Sequence, residues 1–243
     1  MLKNKRVIVT GAGAGIGKEI VRLCLEEGDS IIACDVNEEA LVELERSMKN
    51  TNLSTYTVDV SSYKEVVRFF EGIDEKGEEV HALVNNAGIY LAQNILDYTE
   101  ESIDSVLNIN VKGAVYFSQL FAKKLMGDNE KGTIVNMSSV SGMEGSSDAI
   151  YGLSKSAILG LTKSCAINFS PHIRVNAVAP TMVDTTMMKS IPEWRKQEYW
   201  NSQLIQTPVT ARDVAETVLF LLSDKSKHYT GATFDLNNGG YLR

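Results

Sequence analysis

The chain has 243 residues, with 44% hydrophobic and 23% charged side chains and a net charge of −7 at pH 7. This length can bury one sizeable α/β core, and the composition excludes a disordered or fibrous protein. An acidic chain lacks the basic stripe with which proteins neutralise nucleic-acid phosphates, so we expect no nucleic-acid partner.

Neither the amino terminus nor the cysteines indicate export. The first apolar run, residues 7–9, is too short for a signal-peptide core, and no window approaches the ~20 apolar residues of a membrane span. The three cysteines (Cys24, Cys34 and Cys165) form no paired motif and have apolar neighbours, as free thiols in a reducing compartment do. We therefore expect a cytoplasmic protein with no membrane partner, and the scattered histidines predict no metal site.

Strand and helix patterns alternate along the chain. Runs rich in β-branched residues predict strands at 6–10, 30–34, 53–58, 80–85, 132–137, 173–179 and 232–236. Apolar residues at helical spacing lie between them, for example at 16–24, 66–70, 103–117 and 214–222. Continuously apolar strands suit a parallel sheet that is covered on both faces. The order predicts one α/β domain over residues 1–243, a Rossmann-type doubly wound parallel sheet of about seven strands with helices on both faces.

Residues 184–208 interrupt this alternation between the sixth strand and the last helix. They include Met187, Met188, Trp194, Tyr199 and Trp200, which follow no clear strand spacing. A connection of this length in a compact domain is usually a functional element, so we expect a substrate lid.

The first strand runs into a glycine-rich turn, and a helical pattern begins directly after it. Gly11, Gly15 and Gly17 fit the spacing G-x-x-x-G-x-G, whereas Ile16 stands where the third glycine of the usual G-x-G-x-x-G fingerprint would lie. A backbone without side chains can approach a pyrophosphate closely, and the helix N-terminus then presents free N–H groups to that anion. The turn therefore predicts a dinucleotide site.

Asp35 stands at the end of the second predicted strand, about 20 residues after the glycines. A carboxylate there can accept hydrogen bonds from both ribose hydroxyls of NAD, and it repels the 2′-phosphate of NADP. Positions 36 and 37 carry no Arg or Lys that would attract that phosphate. We therefore predict NAD as the cofactor.

Several further motifs follow in order along the chain. They are Asp59-Val60, Asn85-Asn86-Ala87-Gly88, Asn110-Val111-Lys112-Gly113, Ser138-Ser139, Tyr151-x-x-x-Lys155 and residues 176–185. With the glycine turn they span nearly the whole chain. In this combination the sequence resembles the short-chain dehydrogenase/reductase family, in its NAD-preferring branch. The resemblance implies an oxidoreductase that interconverts alcohols and ketones.

Tyr151 and Lys155 carry a physical argument of their own. Residues four apart share one helical face, so the ammonium can lie near the phenol. A unit charge at ~4 Å in an effective dielectric of ~20 is worth ~4 kcal/mol, enough to lower a phenol pKa from ~10 toward ~7. We therefore expect Tyr151 to be the general acid/base and Lys155 to lower the pKa of Tyr151. The resemblance to the family implies that Lys155 also binds the ribose.

The resemblance assigns roles to other matching positions. Ser139 would hold the substrate oxygen, with Ser138 as the open alternative, and Asn110, expected inside a helix, would hold a water that relays protons from Lys155. The implied cofactor contacts are Asp59 and Val60 at the adenine, Asn86, Ala87 and Gly88 along the ribose, and Pro180, Val183 and Thr185 at the nicotinamide.

Two segments depart from the family pattern. Thr181 follows Pro180 where Gly is usual, and Asn237-Asn238-Gly239-Gly240 replaces an Asp-Gly-Gly ending. We expect the first departure to alter the loop near the nicotinamide slightly, and the second to lie away from the chemistry.

The predicted reaction is reversible hydride transfer between a secondary alcohol and NAD(H). Candidate substrate-pocket residues are Tyr90, Ser141, Met143, Glu144, Ile150, Met187 and the aromatic residues of the lid. Their mixture suits a cyclic alcohol, a polyol or a steroid-like ketone. Two alternatives are a 3-oxoacyl-carrier-protein-reductase-like enzyme, which usually needs NADPH, and a catalytically silent NAD-sensing protein. By family analogy we expect a homotetramer assembled through the long helices.

Overall fold

The computed structural model describes residues 5–185, 188, 191 and 193–242. Seven strands within these residues form one parallel sheet in the order β3-β2-β1-β4-β5-β6-β7. The strands are β1 (Arg6–Thr10), β2 (Ser30–Asp35), β3 (Leu53–Thr57), β4 (Ala82–Asn85), β5 (Gly132–Met137), β6 (Ile173–Pro180) and β7 (Thr233–Leu236). Each predicted strand is present, and the single-domain doubly wound fold is confirmed.

Helices cover both faces of the sheet. They are α1 (Gly15–Glu26), α2 (Glu38–Met48), α3 (Tyr63–Glu75), α4 (Glu100–Leu107), α5 (Gly113–Gly127), α6 (Ser141–Glu144), α7 (Ala149–Asn168), α8 (Glu193–Ser202) and α9 (Ala211–Leu222). Residues of α1, α2 and α9 pack on one face of the sheet, and residues of α3, α5 and α7 pack on the other. No helix in this part of the chain is long and apolar enough to cross a membrane.

Strand β1 shows why the sequence gives this arrangement. Val7 and Val9 belong to the core on one face of the sheet, and Ile8 belongs to the core on the other. All three are fully buried, because successive side chains of a strand point to opposite faces and helices cover both. The free cysteines lie in the same two cores, buried as expected.

The predicted helix over residues 103–117 is present, but it is not a regular α-helix throughout. A π-helical turn, Asn108–Lys112, separates α4 from α5, and the N–H of Gly113 bonds to the carbonyl of Asn108, five residues back. Such turns insert one residue into a helix and occur frequently at functional sites. The turn contains Asn110, whose side chain lies beside Gly88 and Ile89, shortly after the end of β4.

Candidate active site

One cleft of about 440 Å³ runs along the carboxyl edge of the sheet. This is the edge at which open α/β folds bind ligands. The predicted site residues that line it are Gly11, Gly15, Ile16, Asp35, Asp59, Val60, Asn86, Ala87, Gly88, Ser139, Tyr151, Lys155, Pro180, Val183 and Thr185. The structure therefore brings most of the predicted site residues together. Of the predicted residues, Gly17 and Asn110 do not line the cleft and lie behind its lining.

The glycine turn forms a cradle that side chains would fill. A Cβ on Gly11 (φ +63°) would lie 2.8 Å from the Cα of Ala87, and a Cβ on Gly17 would lie 2.0 Å from the carbonyl oxygen of Gly11. Helix α1 begins at Gly15, its N-cap Ala14 supplies no side-chain hydrogen bond, and its first turn holds no acidic residue. The first N–H groups of the helix are thus left for an anion, as a pyrophosphate requires.

Asp35 is held in place by two backbone donors. Its Oδ2 accepts a hydrogen bond from the N–H of Gly13 at 2.9 Å, and its Oδ1 accepts one from the N–H of Asn37 at 3.0 Å. A carboxylate has about four acceptor positions, so two remain for a ligand's hydroxyls. Gly13, which the sequence analysis did not assign to the site, positions this carboxylate. The signal in the sequence for this role of Gly13 was its position within the glycine-rich turn.

Thr10 joins the glycine turn to the end of β4. Its hydroxyl accepts hydrogen bonds from the N–H of Asn86 at 3.0 Å and of Ala87 at 3.1 Å. The amide of Asn86 donates back to the carbonyls of Thr10 and Gly11, each at 3.0 Å. The side chain of Asn86 therefore shapes the turn from behind, and sequence reasoning missed the role of Thr10.

Tyr151 and Lys155 lie on the same side of α7 and face the cleft. The ammonium nitrogen of Lys155 is 5.7 Å from the ring centroid of Tyr151 and donates a hydrogen bond to the carbonyl of Met137 at 3.0 Å. Lys155 is only 5% exposed. The four-residue spacing has thus placed the two side chains together beside the end of β5, as predicted.

The expected low pKa of Tyr151 is wrong for this structure. Burial, with smaller contributions from the nearby Tyr90, Tyr199 and Asp148, raises the pKa of Tyr151 to about 12, against the effect of a hydrogen bond with Ser139. Burial also lowers the pKa of Lys155 to about 8. Both shifts have one cause, because removal of water disfavours the phenolate and the ammonium alike. The charge of Lys155 alone does not account for this desolvation.

The two neighbouring serines have different surroundings. The hydroxyl of Ser138 donates to the carbonyl of Lys155 at 2.8 Å, which anchors α7 to the end of β5. The hydroxyl of Ser139 makes a hydrogen bond with the phenol of Tyr151 and accepts another from the N–H of Ser141 at 3.2 Å. Of the two, the geometry favours Ser139 as the residue that holds the substrate oxygen.

Asn110 is tied to the chain beside the cleft rather than to Lys155. Its Oδ1 accepts from the N–H of Ile89 at 2.8 Å, while its Nδ2 donates to the carbonyl of Ile89 at 2.9 Å and to the hydroxyl of Ser154 at 3.0 Å. A Cβ on Gly88 would lie 3.3 Å from Asn110 Oδ1 and 3.4 Å from Lys155 Nζ. Asn110 and Lys155 thus flank Gly88, and the water relay stays a prediction.

The segment after β6 closes the cleft opposite the glycine turn. A Cβ on Gly15 would lie 3.3 Å from the methyl carbon of Thr185, and Val183 pairs with Val209 in an isolated bridge. Thr181 is buried, and its hydroxyl accepts a hydrogen bond from Gln203 at 3.3 Å. Thr181, which stands where glycine is usual in the family, therefore has a side-chain hydrogen bond that a glycine could not make.

The far end of the cleft contains part of the predicted substrate pocket. Tyr90, Ser141, Met188 and Tyr199 line it, whereas Met143, Glu144, Ile150, Trp194 and Trp200 do not, and Met187 lies outside the described residues. Arg195 of α8 also lines the cleft, with its guanidinium 4.8 Å from the ring centroid of Tyr199. No motif pointed to Arg195, because its role depends on where α8 lies.

The shape and the hydrogen-bonding groups of this cleft fit a dinucleotide. The turn around Gly11 leaves room for a pyrophosphate, and the fixed carboxylate of Asp35 can accept from ribose hydroxyls. No group of three or more His, Cys, Asp or Glu side chains among the described residues could hold a metal ion.

Comparison with known proteins identifies the family. A family model described as enoyl-(acyl-carrier-protein) reductase matches residues 11–241. L-xylulose reductase of Bos taurus is 33% identical over 247 residues, an alignment that covers 99% of this chain and 98% of the relative. The chain belongs to the short-chain dehydrogenase/reductase family. Its predicted membership is confirmed, and the chain is therefore an oxidoreductase.

Other members of the short-chain dehydrogenase/reductase family resemble it over the same extent. The 3-oxoacyl-[acyl-carrier-protein] reductase of Thermotoga maritima is 32% identical, with 98% of each chain covered. A solved structure of 4-hydroxyisoleucine dehydrogenase complexed with NADH has a TM-score of 0.91 and 28% identity, covering 97% of this chain and 98% of that one. The chain thus spans the full length of these short-chain dehydrogenases/reductases.

Proposed function

We propose that this chain is an NAD(H)-dependent oxidoreductase that interconverts a secondary alcohol and a ketone. One observation carries the proposal: Tyr151, Lys155 and Ser139 meet in the cleft that also contains the glycine turn and Asp35. The relatives named above are reductases and a dehydrogenase, and one of them was solved with NADH. A catalytically silent NAD-sensing protein would have no need for all three reactive side chains at one place.

The residues at the site would each have a distinct role in this reaction. A bound nicotinamide supplies the hydride chemistry. Tyr151 gives a proton to the substrate oxygen or takes one from it, and Ser139 donates a hydrogen bond to that oxygen as charge develops there. Lys155, with its pKa lowered to about 8, remains substantially protonated at pH 7 and stabilises the phenolate of Tyr151. Asn110 holds the chain around Ile89 beside these groups.

The choice of NAD over NADP rests on the adenosine end of the cleft. Asp35 and Asp59 line that end, and the basic residues among the described lining are Lys155 and Arg195, on α7 and α8. A 2′-phosphate near Asp35 would meet a fixed negative charge without a compensating cation, which costs several kcal/mol. We therefore propose NAD, with Asp59 and Val60 beside the adenine and with Pro180, Val183 and Thr185 beside the nicotinamide.

A direct assay tests this function. The purified chain should bind NADH more tightly than NADPH, measured by quenching of protein fluorescence, and should oxidise NADH in the presence of a suitable ketone. A preference for NADPH would contradict the role of Asp35. Binding of NADH without turnover over a broad panel of alcohols and ketones, including alkaline pH for oxidation, would support the sensor alternative instead.

A second candidate is reduction of 3-oxoacyl groups carried on acyl carrier protein. The Thermotoga maritima relative favours it by its description, and the description of the family model names acyl carrier protein, although with an enoyl rather than a 3-oxoacyl group. A 3-oxoacyl thioester, offered with NADH and with NADPH, separates the two candidates: efficient reduction of the thioester with NADPH would favour the second candidate.

Hydroxyl groups at the far end of the cleft suggest where a substrate screen should begin. Ser141, Ser146, Ser147, Tyr90 and Tyr199 line that end, and hydroxyls can both donate to and accept from a polyol. The bovine relative is named for a ketose sugar, L-xylulose. We propose polyols and ketoses as the first class to assay, ahead of cyclic alcohols and hydroxysteroids. The lid at 184–208, the homotetramer and the cytoplasmic location remain predictions.

A further inference from the structure

A single buried glutamine connects the two segments at which this chain departs from the family pattern. Gln203 follows α8 and is only 6% exposed. Its Nε2 donates a hydrogen bond to the hydroxyl of Thr181 at 3.3 Å, and its Oε1 accepts one from the side-chain amide of Asn238 at 3.0 Å. Residues 237–240 do not line the cleft, as expected, but the side chain of Gln203 joins them to its wall.

The loop at 237–240 is shaped to hold the residues that follow α8. The carbonyl of Asn238 accepts hydrogen bonds from the N–H groups of Leu204 at 2.9 Å and of Ile205 at 3.1 Å. Asn238 has a φ of +54° and Gly239 a φ of +72°, and a Cβ on Gly239 would lie 2.8 Å from Leu204. Only glycine tolerates both that φ and that approach, so the two chain segments fit each other closely.

A small displacement of Thr181 would also move groups at the proposed reaction centre. Its N–H bonds to the carbonyl of Leu236 at 3.0 Å. The preceding carbonyl, of Pro180, accepts from the N–H of Val140 at 3.0 Å and lies 3.5 Å from the hydroxyl of Ser139. The chain then continues along the cleft through Val183. The position of Thr181 therefore influences both Ser139 and the wall proposed to contact the nicotinamide.

We propose that Gln203 is a positioning residue for the nicotinamide end of the cleft. It holds Thr181, and through Thr181 the segment 180–185, in the conformation that binds the nicotinamide half of the cofactor. The adenosine end depends instead on Asp35 and the glycine turn, with which Gln203 makes no hydrogen bond in the described part of the chain. The inference rests on the proposed use of a nicotinamide cofactor.

Two ligands separate the two ends of the cleft in one experiment. NADH contacts both ends, whereas ADP-ribose lacks the nicotinamide. Gln203→Met keeps the length of the side chain and removes both hydrogen bonds, and Thr181→Val removes only the hydroxyl that Gln203 contacts. Each substitution should weaken the binding of NADH about three- to tenfold, the effect of losing the hydrogen bond between Gln203 and Thr181, and should change the Kd of ADP-ribose less than twofold.

A matched control and a double substitution complete the test. Gln197 is exposed on α8 and bonds to Asn201, so Gln197→Ala should leave both dissociation constants unchanged. Gln203 and Thr181 act through one contact. The double variant should therefore have about the same affinity for NADH as the single variant that binds NADH more weakly.

The outcomes distinguish this inference from the proposed function. Equal weakening of NADH and ADP-ribose, additive effects of the two substitutions, or no effect of Thr181→Val would each overturn the positioning role. If Gln203→Met does not fold, Thr181→Val alone decides the question, because it preserves side-chain volume and the bond between Gln203 and Asn238. Failure of the unsubstituted chain to bind NADH or ADP-ribose would contradict the proposed function itself.

Discussion

The carboxylate of Asp148 accepts a hydrogen bond from the backbone N–H of Tyr151 at 3.0 Å. Asp148 is the N-cap of α7 and is only 1% exposed. Its other hydrogen bonds come from the hydroxyl of Tyr98 at 2.7 Å and the N–H of Gln93 at 3.4 Å. A buried carboxylate therefore lies close to Tyr151. Burial is the main cause of the raised pKa of Tyr151, and the charge of Asp148 adds to it.

Asp148→Asn should move the pH profile of alcohol oxidation to lower pH. An Asn keeps the N-cap, but removal of the negative charge lowers the pKa of Tyr151, so the reactive phenolate forms at lower pH. The other titratable groups that face the phenol (Tyr90, Tyr199 and Lys155) are unchanged. The acid limb of kcat/KM should shift down by less than about one pH unit, because burial rather than Asp148 is the largest cause of the raised pKa of Tyr151.

The control for Asp148→Asn is Asp213→Asn, a change in the capping box of α9, which should leave the profile in place. An unshifted profile for Asp148→Asn would show that the charge of Asp148 does not reach the phenol.

Tyr151→Phe should retain NADH affinity and lose turnover by about a hundredfold or more, since a positioned general acid/base contributes about that much. Binding titration and steady-state kinetics measure the two effects separately. Tyr116→Phe, a change to a ring that packs on Tyr63 outside the cleft, serves as the control. Turnover retained by Tyr151→Phe would remove Tyr151 from the mechanism.

Asp35→Asn should reduce the preference for NADH over NADPH about tenfold or more. The neutral amide cannot repel a 2′-phosphate, and it is a weaker acceptor for ribose hydroxyls than a carboxylate. Dissociation constants for both cofactors give the ratio. Asp104→Asn, an exposed change on α4, should leave it unchanged, and an unchanged ratio in Asp35→Asn would assign cofactor choice to another residue.

Two glycine-to-alanine substitutions should have different effects, one on catalysis and the other on stability. Gly88→Ala places a methyl group 3.3–3.4 Å from Asn110 Oδ1 and Lys155 Nζ, and should lower kcat several-fold by displacing them. Gly160→Ala on α7 meets nothing within 4 Å and should raise the free energy of unfolding by about 0.5–1 kcal/mol without loss of activity. Urea denaturation and steady-state kinetics measure both, and unaltered kinetics in Gly88→Ala would contradict the placement of Asn110 beside Lys155.

The sequence predicted what depends on local pattern. Strand β1 could be recognised because its buried residues are contiguous in the chain, and Tyr151 and Lys155 could be paired because a helix brings residues four apart together. Their surroundings could not be predicted in this way. The pKa of Tyr151 depends on its burial and also on groups far from it in the chain, including Tyr90 and Tyr199.

The remaining differences have the same origin. The π-helical turn accompanies the bonds of Asn110 to Ile89, which is 21 residues away. Gln203 joins Thr181 to Asn238, positions 22 and 35 residues from it. No periodicity or short motif records contacts of this kind, so these parts of the site required the three-dimensional arrangement.

Lys155 and Ser138 form a reciprocal attachment between β5 and α7. The ammonium of Lys155 bonds to the carbonyl of Met137, and the hydroxyl of Ser138 bonds to the carbonyl of Lys155. Helix and strand are thus fastened at the same point in both directions, so neither can swing away to admit a ligand while these bonds last. We therefore expect substrate to enter and leave past the wall of the cleft that carries α8, and rates of product release to respond to substitutions there rather than on α7.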